Sequence, residues 1–206
     1  MRVTILYLAA GNSRRFGENK LLYPLDGKAV YRHLLDRLAQ IARRHENWEL
    51  LVVTQYERIL EELAPLVKSR ASADGVFAGQ RKKEFPIQSA RESRRRRSKN
   101  ADACACFVAD QPYLKEETAE RFSGIHGDAE GSTWLRFLRR RERQSAWFSK
   151  PYFSELKELS GDRGGKKVLK RHWESVIPFL VEAAWELKDL DRKEDLCCRD
   201  TGGCHE

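Results

Sequence analysis

An apolar run, Val3-Thr4-Ile5-Leu6-Tyr7, empties directly into Leu8-Ala9-Ala10-Gly11-Asn12-Ser13-Arg14-Arg15-Phe16-Gly17-Glu18-Asn19-Lys20. A short, mostly apolar stretch closed by a glycine loop reads as a strand buried on both faces. Such strands belong to parallel sheets layered with helices, so this junction constrains the fold more than any other segment. Gly11 and Gly17 carry no Cβ and are expected to let backbone N–H groups turn toward a phosphate. Arg14, Arg15 and Lys20 would balance its charge. The spacing is neither the G-x-x-x-x-G-K-[ST] of the P-loop nor the G-x-G-x-x-G of the dinucleotide fold. An ordinary strand-to-helix loop is the plainer alternative.

Downstream, strands and helices alternate, which predicts an α/β fold of three layers around a mostly parallel sheet. Residues 30–44 place Val30, Leu34, Leu35, Leu38, Ile41 and Ala42 on one helical face. Residues 50–53 form an apolar strand, and residues 57–68 a second amphipathic helix through Ile59, Leu60, Leu63 and Leu66 or Val67. Residues 69–85 read as a loop around a short strand, and residues 86–98 as a helix whose first turn tolerates Pro86. A strand over 103–109, a helix over 115–122 and two short strands within 132–149 follow. Helices over 151–159 and 165–171 precede a strand over 176–181. One domain spanning residues 1–196 is expected, with a mobile tail over 197–206.

The 206 residues suit a single domain, and a hydrophobic content of 41% argues against disorder. No apolar stretch approaches the roughly 20 residues needed to span a bilayer. The N-terminus does not have the form of a signal peptide, so a cytoplasmic location is expected. Five cysteines, an odd number, read as reduced thiols. Cys104 and Cys106 are expected on one face of a buried strand. The net charge of +8, densest at Arg94-Arg95-Arg96-Arg97 and Arg139-Arg140-Arg141, admits a nucleic-acid partner. Solvated faces and a site for anionic substrates are the favoured account, because no nucleic-acid module accompanies the arginine runs; neither a nucleic-acid nor a membrane partner is expected.

Three further clusters carry chemistry. Phe107-Val108-Ala109-Asp110-Gln111-Pro112 sets a carboxylate at the carboxyl end of a buried strand, the edge where ligands sit in open α/β sheets. Asp110 there suits Mg²⁺, although a turn former is the competing reading. Asp189 and Asp191 would share a side if their segment is extended; acidic residues at a helix start account for the same pattern. Residues 159–169 hold Gly161, Asp162, Arg163 and Gly164, either as helix punctuation capped by Asp162 or as a loop contacting a phosphorylated acceptor. The tail Cys197-Cys198-Arg199-Asp200-Thr201-Gly202-Gly203-Cys204-His205 could bind Zn²⁺, but its spacing favours an unstructured end.

Residues 8–20 resemble the L-A-x-G-x-S-x-R-[MF]-G-x-x-K signature of nucleotidyltransferases, matching at Gly11, Ser13, Arg15, Gly17 and Lys20. With Asp110-Gln111-Pro112, Tyr152-Phe153 through Gly165, and Asp189-Leu190-Asp191 followed by Glu194-Asp195-Leu196, most of the chain is similar to the MobA-like nucleotidyltransferase family. Its molybdenum cofactor cytidylyltransferase branch fits Ala10 in Leu-Ala-Ala-Gly, where the guanylyl branch usually shows Leu-Ala-Gly-Gly. Ser89 and Arg91 loosely match the branch's S-S-x-[RK]-x-G, with Ser93 in place of the glycine. Arg192-Lys193 stands in place of the usual Thr-Pro.

The resemblance implies a Rossmann-like nucleotidyltransferase fold and transfer of CMP from CTP to a phosphorylated acceptor, molybdopterin foremost, with release of pyrophosphate. It implies Mg²⁺ held by Asp110 and Asp191, with Arg15, Lys20 and Asp110 as catalytic residues. The nucleotide would contact Leu8, Ala9, Ala10, Gly11, Ser13, Arg15, Lys20 and Ser89, and the acceptor Gly161, Asp162, Arg163 and Gly164. A molybdoenzyme would receive the product. GTP as donor, a sugar phosphate or other phosphorylated metabolite as acceptor, and a binding protein on a degenerate scaffold are the alternatives.

Overall fold

A computed structural model describes residues 1–11, 13, 15–68, 76–80, 101–124, 135–138, 145–158 and 165–196. The expected helix over 86–98, both arginine runs and the cysteine-rich tail lie outside the described residues, as do Ser89, Gly161, Asp162, Arg163 and Gly164.

Strands β1 (Val3–Ala9), β4 (Trp48–Thr54), β5 (Val76–Gln80), β6 (Ala103–Val108), β7 (Leu135–Leu138), β8 (Ala146–Ser149) and β9 (Val176–Phe179) form one sheet in the order β5-β4-β1-β6-β8-β7-β9. Strands β5, β4, β1 and β6 run parallel, with Val3 opposite both Trp48 and Ala103. β8 is antiparallel to both neighbours, and β9 pairs parallel with β7. A two-stranded hairpin, β2 (Pro24–Leu25) and β3 (Lys28–Ala29), follows the glycine loop; its turn uses Asp26 and Gly27 at φ 47° and 75°. The hairpin was not among the expected elements, and its sequence signal is the Asp26-Gly27 pair of the Leu25–Lys28 turn.

Alternation along β1 divides the core. Val3, Ile5, Tyr7 and Ala9 face one layer and Leu6 the other. The first layer is filled by α1 (Val30–Arg44), α2 (Glu57–Lys68) and α3 (Glu116–Ser123). Helix α1 buries Val30, Tyr31, Leu34, Leu35, Leu38, Ile41 and Ala42, the expected face plus one tyrosine. Each large side chain there contributes about 1.5–3 kcal/mol. No side chain caps α1; instead the Val30 N–H donates to the Tyr23 carbonyl at 3.0 Å. At its other end Arg43 and Arg44 complement the helix dipole. Arg44 also pairs with Glu116 and Glu120 of α3.

Among the described residues the second layer holds α4 (Phe153–Glu158) and α5 (Lys166–Arg171), which set Leu156 and Val168 against Leu6, Cys104, Cys106 and Phe148. Cys104 and Cys106 do share a face, as free thiols with sulfurs 3.7 Å apart.

Order within the sheet positions the site. From β1 the chain crosses over to β4 and then β5, whereas β6 lies on the other side of β1. The segments leaving β1 and β6 therefore diverge, opening a crevice at the carboxyl ends of the strands.

Candidate functional site

The crevice gathers residues from three distant segments. Lys20, on the first turn of the 3₁₀ segment Lys20–Leu22, is only 6% exposed. Its Nζ lies 2.8 Å from Asp110 Oδ2 and 3.3 Å from Asp191 Oδ1. Arg15 approaches Asp191 from the open side at 3.7 Å. Burial works against the Lys20 ammonium, but the two adjoining carboxylates outweigh it and hold its pKa above the ordinary lysine value.

Each carboxylate is anchored by backbone. The Leu190 N–H donates to the Asp110 carbonyl at 3.0 Å, fastening segment 189–191 to the end of β6. One oxygen of Asp195 accepts from the N–H groups of Asp191 and Arg192, at 2.9 and 2.8 Å. Asp195 lies within the 3₁₀ segment Lys193–Leu196 and so ties its start back to the residues before it. The two readings of this acidic cluster thus coexist: Asp191 lies in the crevice while Asp195 serves the turn.

Asp189 does not reach the Lys20 ammonium. It accepts from Gln111 Nε2 at 3.0 Å, and Gln111 Oε1 accepts from Ser145 at 3.1 Å. Gln111 is wholly buried, so both ends of its amide need these partners. Asp189 is pushed up to about 6, first by burial and then by the charge of Asp110, while the Gln111 amide pulls it back.

The glycine loop departs from expectation at one position. Gly17 uses its freedom, at φ 82°, but Gly11 has no positive φ. Ser13 takes the left-handed conformation instead, at φ 43°. Its hydroxyl accepts from the Lys20 N–H at 3.2 Å, and its carbonyl accepts from the Phe16 N–H at 3.0 Å. These local bonds offset the steric cost of that conformation. A Cβ on Gly11 would meet no protein atom within 4 Å, so any need for glycine there lies with a ligand.

The neighbouring carbonyls are tied back to β4. Thr54 Oγ1 donates to Ala9 O at 2.8 Å, Gln55 Nε2 to Ala10 O at 2.8 Å, and the Tyr56 hydroxyl to Gly11 O. Leu8 O accepts from the Ala109 N–H at 3.0 Å. Gln55 and Tyr56 were not among the expected residues; their one sequence signal is their position just beyond an apolar strand. On the far side Arg37 donates to the carbonyls of Pro112 and Leu114 at 2.6 and 2.8 Å, bracing the turn after Asp110. Buried Glu186 accepts from the Lys115 N–H at 3.1 Å.

The structure thus brings together Lys20, Asp110, Asp191 and Arg15, with Leu8, Ala9, Ala10, Gly11 and Ser13 lining the same edge. Two converging carboxylates could hold a hard divalent cation, and the loop could meet an anion. Among the described residues, no cluster of three or more His, Cys, Asp or Glu forms a denser metal site. No described helix is long and apolar enough to cross a membrane.

The chain is 27% identical over 197 residues to the purine catabolism protein PucB of Bacillus subtilis (strain 168), covering 92% of each. Over 71 residues it is 37% identical to a probable molybdenum cofactor guanylyltransferase of Pyrococcus horikoshii, covering 31% of this chain and 37% of that one. Among solved structures, Rv0371c of Mycobacterium tuberculosis H37Rv matches with a TM-score of 0.64 and 25% identity over 95% of both chains. That protein is also known as a manganese complex, matched at a TM-score of 0.59 and 24% identity over 89% of this chain and 90% of that one. Residues 5–176 match the model of the MobA-like NTP transferase domain, and the chain belongs to that family of nucleotidyltransferases.

Proposed function

We propose that this protein transfers CMP from CTP to a phosphorylated acceptor, molybdopterin foremost, in a Mg²⁺-dependent reaction that releases pyrophosphate. The observation that carries the reading is the convergence of Lys20, Asp110 and Asp191 at the mouth of β1 and β6.

The donor set fits a hard divalent cation. Asp110 and Asp191 offer oxygens that already converge on a positive charge, and Mg²⁺ takes one or two carboxylates, leaving other positions to phosphate oxygens and water. The manganese complex of Rv0371c supports a divalent metal in the family. When bound, Mg²⁺ would polarise the reacting phosphate and neutralise part of the triphosphate charge.

The chain's own residues supply position and charge. Leu8 to Gly11 would lie along base and sugar, with the carbonyls of Ala9, Ala10 and Gly11 held by Thr54, Gln55 and Tyr56. Ser13 and Gly17 shape the loop so that Lys20 and Arg15 face the triphosphate. An acceptor phosphate oxygen, already ionised near neutral pH, attacks the α-phosphorus without needing a general base. Lys20 and Arg15 balance the charge that builds on the departing pyrophosphate, the kind of pre-set electrostatics that dominates such reactions. Ser89 would add to the nucleotide side, and Gly161 to Gly164 with Arg163 would meet the acceptor. The free thiols of Cys104 and Cys106 fit the reducing cytoplasm. A molybdoenzyme would be the recipient of the product.

Ala10 supports CTP over GTP. Its ground is the likeness of Leu-Ala-Ala-Gly to the cytidylyl branch, where the guanylyl branch usually shows Leu-Ala-Gly-Gly. The Pyrococcus guanylyltransferase likeness is the specific observation favouring GTP instead. Pyrophosphate release from CTP with reduced molybdopterin tests the reading: wild type should turn over and folded Asp110→Ala should not. Wild-type-like rates in that variant would remove Asp110 from the reaction.

A further inference from the structure

One ammonium engages both crevice carboxylates: Lys20 Nζ is 2.8 Å from Asp110 Oδ2 and 3.3 Å from Asp191 Oδ1. The side chain is 8% exposed, so little water reaches its charge. Its root is pinned. The Lys20 N–H donates to Ser13 Oγ at 3.2 Å, and the Lys20 carbonyl accepts from the Tyr23 N–H at 3.3 Å. Asn19 caps the same 3₁₀ turn by accepting from the Leu21 N–H at 3.1 Å. With the backbone fixed, the flexible four-carbon stem is the part that can carry the charge elsewhere.

The oxygens that meet Lys20 are those a hard divalent cation would take. Bound to the same two, the ion would stand about 2.1 Å from each. Together with the observed ion-pair distances, that keeps metal and ammonium within about 4 Å of each other. Two cations that close, in a crevice with little water, repel strongly. Arg15 also reaches Asp191, at 3.7 Å, but its side chain is two-thirds exposed and water screens its charge. A triphosphate relieves the conflict at Lys20, because phosphate oxygens can accept from the ammonium and stand between it and the metal.

We propose that Lys20 makes metal binding wait for the nucleotide. It competes with a divalent cation for Asp110 and Asp191, and releases them when phosphate oxygens take up its ammonium. The release rests on the nucleotidyl-transfer reading; the competition rests on the two ion pairs. Loss of Lys20 therefore acts in opposite directions on two ligands. The bare carboxylates hold a free divalent ion more tightly, while a metal–triphosphate complex, itself an anion, is held more weakly. A lysine that only met phosphate would leave free-metal binding unchanged, and one that only braced the fold would weaken both.

Mn²⁺ alone, followed by electron paramagnetic resonance, is titrated into wild type and Lys20→Met, with thermal melts showing that each is folded. Lys20→Gln, which retains a donor for the carboxylates but no charge, repeats the measurement. Both variants should bind Mn²⁺ about ten- to hundredfold more tightly than wild type, and Mn²⁺–CTP, measured by calorimetry, about tenfold more weakly. Adding Asp191→Asn should abolish the gain. Lys170→Met, which removes an exposed cation of α5, should bind Mn²⁺ as wild type does. Equal Mn²⁺ affinity in wild type and the Lys20 variants overturns the proposal. So does a gain that survives Asp191→Asn, which would put the ion elsewhere, or one that recurs in Lys170→Met, which would reduce it to net charge. Mn²⁺–CTP binding that tightens alongside overturns the release to phosphate. If the Lys20 variants gain Mn²⁺ affinity yet no protein binds CTP, the competition stands and the transfer reading falls.

Discussion

Replacing Lys20 by Met retains a chain of similar length but withdraws the ammonium from between two carboxylates. Because one Nζ holds both oxygens, at 2.8 and 3.3 Å, those oxygens lie no more than about 6 Å apart. At an effective dielectric of about 20, two like charges at that separation repel by about 3 kcal/mol. Asp110 and Asp191 are 24% and 38% exposed, so screening by water and salt reduces this to about 1–2 kcal/mol. The charge-assisted hydrogen bonds add a loss of about 1.5–3 kcal/mol, partly offset because a buried ammonium is no longer desolvated. The metal-free variant should therefore be less stable than wild type by about 2–4 kcal/mol in urea unfolding at neutral pH and low salt. The deficit should shrink on adding salt, and on adding Mg²⁺, which would stabilise the variant more than wild type. Wild type keeps the Lys20 contribution at neutral pH, since it is lost only as pH rises through a pKa raised above the ordinary lysine value. A difference below about 0.5 kcal/mol, insensitive to salt and Mg²⁺, would refute the account of Lys20 as the cation between these carboxylates.

Other outcomes follow from the same contacts. Ala10→Gly should move the ratio of CTP to GTP affinity about tenfold toward GTP, measured by competition binding; an unchanged ratio would remove the Ala10 methyl from base selection. Arg37→Met should cost about 1–3 kcal/mol in urea unfolding, because the carbonyls of Pro112 and Leu114 lose their shared donor, and should raise hydrogen exchange in the turn after Asp110. Glu155 of α4 is opposed by burial, yet hydrogen bonds from His172 and Arg171 hold its pKa below the usual glutamate range. Its stabilisation is present above that range and fades as pH falls through the lowered value, so Glu155→Gln should flatten the acid limb of a stability–pH curve. An acid limb identical to that of wild type would deny the pair any part in docking α4 to α5.

Fold and site were legible to different depths. Periodicity marked α1 and the strand over 103–109, because one buries a helical stripe and the other is apolar on both faces. It missed the hairpin at 24–29, whose strands are only two residues each and whose signal is the Asp26-Gly27 turn alone. Asp110 was legible because a carboxylate closing an apolar run stands out; its meeting with Asp191 depends on a separation that no local pattern encodes. The resemblance supplied that pairing, and the Leu190-to-Asp110 backbone bond gives its physical reason. Gln111, Gln55 and Tyr56 were illegible as supports because each acts by holding another residue's atom across the sheet edge. The role expected of Gly11 passed in part to Ser13, since a serine that bonds its own loop can adopt a conformation usually left to glycine.

A crevice between β1 and β6 that binds a nucleoside triphosphate through Lys20 and the Asp110–Asp191 pair should reveal itself in calorimetric titration of CTP, GTP, UTP and ATP in Mg²⁺, into wild type and Asp110→Ala. Binding should be saturable with CTP tightest, and lost in the variant or on chelating the metal. Binding of no triphosphate by folded wild-type protein, or equal binding by Asp110→Ala, would contradict it.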